Sequence, residues 1–133
     1  MVQTFPYSSL VTALATLVYL AASFKVGSAR GKYNVPAPAV DGPPEFQRIF
    51  RVHMNALEQL VFFIPALWLF ATAWGDMPAA IIGIFWPIGR IVYARGYYAA
   101  SEKRAMGFAI SFLPSAILML GAIVGIVRRL VFA

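Results

Sequence analysis

The chain contains no cysteine. That excludes a disulfide framework, a thiolate metal site and a cysteine nucleophile. Histidine occurs once, at His53, which leaves no basis for a histidine-rich metal centre. Charge is also scarce: charged residues make up 12% of 133 positions, whereas 61% are hydrophobic. With a mean hydropathy of +0.75, a soluble domain of this length could not hide its apolar surface. The composition implies an all-α integral membrane protein. Lys and Arg outnumber Asp and Glu by eleven to five. The basic residues gather at the ends of apolar runs, as a bilayer surface favours, so nucleic acid is not the expected partner.

Four apolar runs are long enough to cross the membrane, which takes ~20 residues for ~30 Å of hydrocarbon. They cover about Tyr7–Val26, Phe46–Trp74, Pro78–Tyr98 and Ala105–Val127. The first lacks a preceding Lys or Arg and reads as a mature helix rather than a signal segment. Gly75-Asp76-Met77 forms a short turn. Ala99-Ala100-Ser101 makes a second tight connection, with Ser101 as the expected N-cap of the last helix. The long connection spans Gly27 to Pro44, where prolines oppose a continuous helix. Residues 1–133 therefore read as a single four-helix membrane domain. Basic residues flank the first and third connections, which places both in the cytoplasm and the termini outside; Arg128 and Arg129 oppose this orientation. Pro65, Pro87 and Pro114 are each expected to bend a helix.

Polar residues inside these runs follow a pattern. Arg48, Arg51, Asn55 and Glu58 fall within a wedge of roughly 80° on the second helix, at 100° per residue. On the third, Arg90, Tyr93 and Tyr97 recur at i, i+3, i+7, with Arg104 just beyond. Both sets are remote from the Asp76 turn, hence on one membrane side. Ionisable groups at such depth usually pair, face a bundle interior or a wet cavity, and mark function. Single residues have plainer explanations. Arg48, Lys103, Arg128, Arg129 and Tyr98 suit the membrane interface, and Arg95 points away from the shared face toward headgroups. Gly107, Ser111 and Ser115, like Gly121 and Gly125, suit helix packing. The convergence of two one-sided polar sets favours a site. A fitting ligand carries more than one carboxylate for the arginines and an ammonium for Glu58. Glutathione does; other zwitterionic peptides and anionic lipids satisfy the same physics.

The segment Gly42-Pro43-Pro44-Glu45-Phe46-Gln47-Arg48-Ile49-Phe50-Arg51-Val52-His53-Met54-Asn55-Ala56-Leu57-Glu58 resembles the signature of the MAPEG superfamily, the membrane-associated proteins of eicosanoid and glutathione metabolism. Gly89-Arg90-Ile91-Val92-Tyr93-Ala94-Arg95-Gly96-Tyr97 is similar to its second signature. The resemblance is closest to the branch of leukotriene C synthase and the microsomal glutathione transferases. It implies a homotrimer that holds glutathione, as co-substrate, in clefts between neighbouring subunits. It also implies ligand contacts at Arg30, Arg51, Asn55, Glu58, Arg90, Tyr93 and Tyr97. Arg104 matches the arginine that acts on the thiol. A nearby cation typically lowers an acid's pKa by about 1–3 units and so enriches the nucleophilic thiolate. A lipophilic electrophile would enter sideways from the bilayer.

Three positions depart from the leukotriene enzyme: Gly31 replaces a second arginine, Gln59 a tyrosine and His53 a glutamine. His53 and Gln59 still match ligand-contact positions. The departures favour general glutathione transfer or lipid hydroperoxide reduction over leukotriene formation. The competing readings are a non-catalytic lipid-binding member of the same superfamily and a small four-helix multidrug exporter. The retained polar set opposes the first. The second resembles this chain in size but uses an acidic residue in its first span, and Tyr7–Val26 has none.

Overall fold

A computed structural model describes residues 2–132 as an all-helical chain. Helices α1 (Pro6–Tyr33), α2 (Pro44–Trp74), α3 (Asp76–Gly83), α4 (Phe85–Ala99) and α5 (Ala105–Phe132) follow in order, with a 3₁₀ turn at Ser101–Arg104. They make four spans, because α3 and α4 together form the third. The exterior is apolar: Leu10, Val61, Leu120 and Leu130 are all more than half exposed. The chain is a multi-pass membrane protein.

Three local expectations are corrected. First, α1 continues through Gly27 and Gly31 to Tyr33, so the first connection is residues 34–43. Gly27 and Gly31 each weaken a helix by only about 0.5–1 kcal/mol relative to alanine, and no proline lies between Pro6 and Pro36. The helix stops at Asn34, which adopts the left-handed conformation (φ 56°, ψ 49°), and the Val35 N–H donates to the Arg30 carbonyl at 3.0 Å. Second, the third span is interrupted at Ile84. Pro87 has no N–H for the Gly83 carbonyl, and its ring crowds that carbonyl. Pro65 and Pro114, by contrast, remain inside continuous helices. Third, Ser101 makes no side-chain cap; its carbonyl instead accepts a bond from Arg104 within the 3₁₀ turn.

The core is built from small residues against large rings. Phe63 of α2 stacks on Trp86 of α4 with centroids 4.9 Å apart, and both are fully buried. Ala15, Ala66, Ala71 and Ala79 are also fully buried or nearly so, which lets the backbones approach. Gly107, Ser111 and Ser115 are buried, as the packing reading expects. A Cβ on Gly107 would strike the Tyr93 backbone, and one on Gly89 would lie 2.5 Å from the Ser111 nitrogen. Gly121 and Gly125 likewise receive Phe70 and Trp74 of α2, and the Trp74 indole N–H donates to the Gly121 carbonyl at 2.8 Å. Gly75 links α2 to α3 at φ +112°, a conformation that favours glycine.

One side chain closes the end of the bundle at this turn. The Asp76 carboxylate accepts the N–H groups of Tyr7 (3.0 Å) and Ser8 (2.7 Å), the first-turn donors that α1 cannot satisfy itself. It is an N-cap supplied from another helix.

The packing argument separates two glycine substitutions. Gly107→Ala drives a methyl into the α4 backbone and should destabilise the protein by about 1–3 kcal/mol. Gly27→Ala meets nothing within 4 Å and should stabilise by about 0.5–1 kcal/mol. Thermal unfolding of both variants in detergent checks the opposite signs.

Candidate functional site

The site is anchored by Arg90. Its side chain is 2% exposed, deep between helices. One terminal nitrogen donates to Asn55 Oδ1 of α2 at 2.8 Å, and the other to Ser111 Oγ of α5 at 3.3 Å. Its guanidinium lies 4.1 Å from the Tyr93 ring centroid and 5.8 Å from that of Trp86. The Ser111 hydroxyl is itself tied to the Gly107 and Phe108 carbonyls. Arg90 therefore joins three helices. The close approach of α4 and α5 at glycine puts Ser111 within its reach.

From Arg90 the polar set continues toward the membrane surface. Tyr93 is buried, and its ring centroid lies 5.5 Å from that of half-buried Tyr97. Arg104, exposed at the start of the last span, lies 5.8 Å over the Tyr97 ring. Its position is set by the 3₁₀ turn and by the bond from its guanidinium to the Ser101 carbonyl. On α2, Arg51 and Glu58 flank Asn55 on the same helical face and are exposed. The α2 set and the α4 set thus meet through Asn55 and Arg90. The result is a one-sided surface of cations, a carboxylate, an amide and phenols.

Two candidates lie elsewhere. His53 faces α1, where its Nε2 sits 3.3 Å from the Tyr19 hydroxyl and its ring stacks on Tyr19 at 5.4 Å. Arg30, on α1, is engaged with the first connection. It donates to the Val35 carbonyl at 3.1 Å and the Ala39 carbonyl at 2.6 Å, over the Phe46 ring. Both belong to the α1–α2 seam rather than to the Arg90 cluster. Gln59 is half-buried, and its Oε1, like His53 Nδ1, Trp86 Nε1 and Arg90 Nε, is buried without a hydrogen-bond partner among the described residues. Such groups are costly to leave unmet, by about 1–3 kcal/mol.

Sequence reasoning missed three contributors. Ser111 was visible only as one of a stripe of small residues. Tyr19 carries no signal in its own span. Arg48, expected at the headgroups, donates from Nε to the Tyr98 carbonyl at 3.3 Å and so holds the end of α4. A cation is favourable at that helix end.

The fold and site define a polytopic helical membrane protein with a charged cluster built on its second, third and fourth spans. The model of the MAPEG family matches residues 8–124. An uncharacterised protein of Synechocystis is 51% identical over 93% of this chain and 90% of its own length. Microsomal glutathione S-transferase 2 of mouse is 38% identical, over 92% and 85%. Leukotriene C4 synthase of rat is 31% identical, over 78% and 81%. The chain belongs to the MAPEG family.

The Asn55–Arg90 bond should show as energetic coupling. Asn55→Ala leaves a buried guanidinium donor unmet and should cost about 1–3 kcal/mol. Combined with Arg90→Lys, the loss should fall short of the sum by at least about 0.5 kcal/mol. Unfolding of the two single variants and the double variant measures the difference.

Proposed function

We propose that this protein is a membrane-bound glutathione transferase that presents the glutathione thiol as thiolate to lipophilic electrophiles from the bilayer. The observation that carries this reading is the junction of the two polar sets. The Arg90–Asn55 bond joins the helix that carries Tyr93 and Tyr97 to the face of α2 that carries Arg51 and Glu58. The kinship with microsomal glutathione S-transferase 2 and leukotriene C4 synthase supports the same chemistry. Arg51 meets a carboxylate, Glu58 the ammonium, and Asn55, Tyr93 and Tyr97 the amides and the peptide's remaining polar groups; Arg90, enclosed by Asn55, Ser111 and two rings, lends its positive charge to the carboxylate side from behind Asn55. Arg104 stabilises the thiolate. The sulfur attacks the electrophilic carbon and the leaving group departs with its bonding pair, while the thiol proton passes to solvent. With a lipid hydroperoxide the thiolate attacks the outer oxygen, the O–O bond breaks, and the lipid leaves as alkoxide and takes a proton to become the alcohol. A second glutathione then attacks the glutathione sulfenic acid, which releases water and yields glutathione disulfide.

The assembly in this reading is a homotrimer, with the site on the cytoplasmic side. Arg30, His53 and Gln59 support it. The first two lie away from the Arg90 cluster within one chain, and His53 and Gln59 carry unmet polar atoms; in a trimer these residues would complete the glutathione cleft of a neighbouring subunit. Gly31 and Gln59, where the leukotriene enzyme has an arginine and a tyrosine, favour general transfer over leukotriene formation.

Binding and activation are separable. Glu58→Gln and Arg51→Ala each remove the partner of a charged ligand group. Glutathione affinity, read by calorimetry on the detergent-purified oligomer, should fall at least about tenfold, or ~1.4 kcal/mol. Unchanged affinity in a correctly assembled variant counts against the assignment.

Arg104→Ala should instead remove the ultraviolet thiolate absorbance of bound glutathione at neutral pH and restore part of it as pH rises. The sign follows from the charge: without the cation the thiol pKa climbs toward its free value of about 8.5, so the anion appears only at higher pH. Turnover of an aromatic chloride should drop far more than affinity. Arg104→Lys should rescue only in part, because an ammonium lacks the planar fork of donors. An identical bound-thiol pKa in all three proteins would reject the role.

A further inference from the structure

A second site lies on the opposite flank of the third span. Between α1 and α4 runs a groove of about 550 Å³. That volume is within the range of about 300–1,000 Å³ that accommodates a drug-sized ligand. Its walls are aliphatic: Leu14 and Leu17 from α1 face Ile88 and Ile91 from α4, and all four are exposed on the apolar exterior. The polar cluster uses neither Leu17 nor Ile91, and the groove opens sideways into the hydrocarbon.

One end of the groove differs from the rest. Lys25, Arg95 and Tyr98 line it there. The Lys25 ammonium sits 4.0 Å over the Tyr98 ring, and Arg48 bonds the Tyr98 carbonyl. The tyrosine is thus pinned from two sides and holds Lys25 at the rim. Arg95 lies one turn earlier on α4 and is exposed. This end is the membrane side that also carries Arg104, because α4 runs directly into the 3₁₀ turn. Among the described residues no acidic side chain lines the groove. An apolar trough at hydrocarbon depth with two cations at its interfacial mouth has the polarity of one anionic phospholipid. The acyl chain matches the aliphatic walls and the phosphate matches the cations.

We infer that the α1–α4 groove is a binding site for an anionic glycerophospholipid of the surrounding bilayer, its acyl chain along Leu14, Leu17, Ile88 and Ile91 and its phosphate between Lys25 and Arg95. Such a lipid would bridge α1 and α4 along the groove. Arg90 also borders the groove, but its terminal nitrogens are turned to Asn55 and Ser111, and none of Arg51, Glu58 and Arg104 lines it; the lipid reading does not rest on the glutathione reading.

The test is native mass spectrometry of the detergent-purified oligomer titrated with dioleoyl phosphatidylglycerol or dioleoyl phosphatidylcholine. The parent should retain phosphatidylglycerol preferentially. Each of Lys25→Gln and Arg95→Gln should weaken that preference about fivefold, the effect of one interfacial charge. Ala21→Trp, which places a ring in the groove from its exposed wall, should remove the retained lipid. The pair Arg128→Gln and Arg129→Gln, at the opposite membrane end, should leave it unchanged. Equal retention of the two lipids overturns the proposal. So does a preference that survives Lys25→Gln with Arg95→Gln, or one lost with the Arg128 and Arg129 pair instead. A photo-reactive residue at Leu17 should label lipid; labelling of a second copy of the chain would show a protein contact there and reject the site.

Discussion

The structure depends on the burial of one guanidinium. A cation inside a helical membrane bundle is expensive unless its donors are met and its charge is shared. Arg90 is met on two sides by Asn55 and Ser111 and flanked by the faces of Tyr93 and Trp86. Because those partners sit on α2 and α5, satisfying the charge fixes three helices relative to one another. The geometry of the polar face follows. Asn55 shares its helical face with Arg51 and Glu58, so its bond to Arg90 turns that face toward α4.

Small residues make that burial possible. Lipid tails give helices no hydrophobic reason to associate, so association rests on close packing and interhelical hydrogen bonds. Gly107 against Tyr93 and Gly89 against Ser111 bring α4 and α5 close enough for the Ser111 hydroxyl to reach Arg90. The same approach seats the Tyr93 ring over the guanidinium. Packing and electrostatics are one design here, since a methyl at Gly107 would displace the residue that shares the charge.

The two membrane ends are built differently. At the Asp76 end, the carboxylate closes the first turn of α1, and Trp74 bonds the Gly121 carbonyl, so the helices are tied by short polar contacts. At the other end, cations dominate. Arg30 is spent on the connection carbonyls and Arg48 on the end of α4, whereas Arg51, Arg95 and Arg104 are exposed. One end is thus fastened by short polar contacts, and the other presents exposed cations.

The sequence by itself determined the class, the four spans and the polar face. Each is encoded in local patterns: apolar runs of membrane length, and polar residues repeating at helical spacing. It also marked Gly107, Ser111 and Ser115 as packing positions, because small residues at a period of four have few other uses in such a helix. Tertiary structure decided what no single segment specifies. Asp76 caps a helix nearly seventy residues away, Ser111 completes the shell of Arg90, and His53 turns to Tyr19 instead of to the Arg51 face. The persistence of α1 through two glycines and the break at Ile84 were balances between modest backbone costs and packing. Such balances are resolved only when neighbouring helices are in place. A periodic pattern tells which face a residue occupies; which neighbour that face meets is a property of the folded bundle.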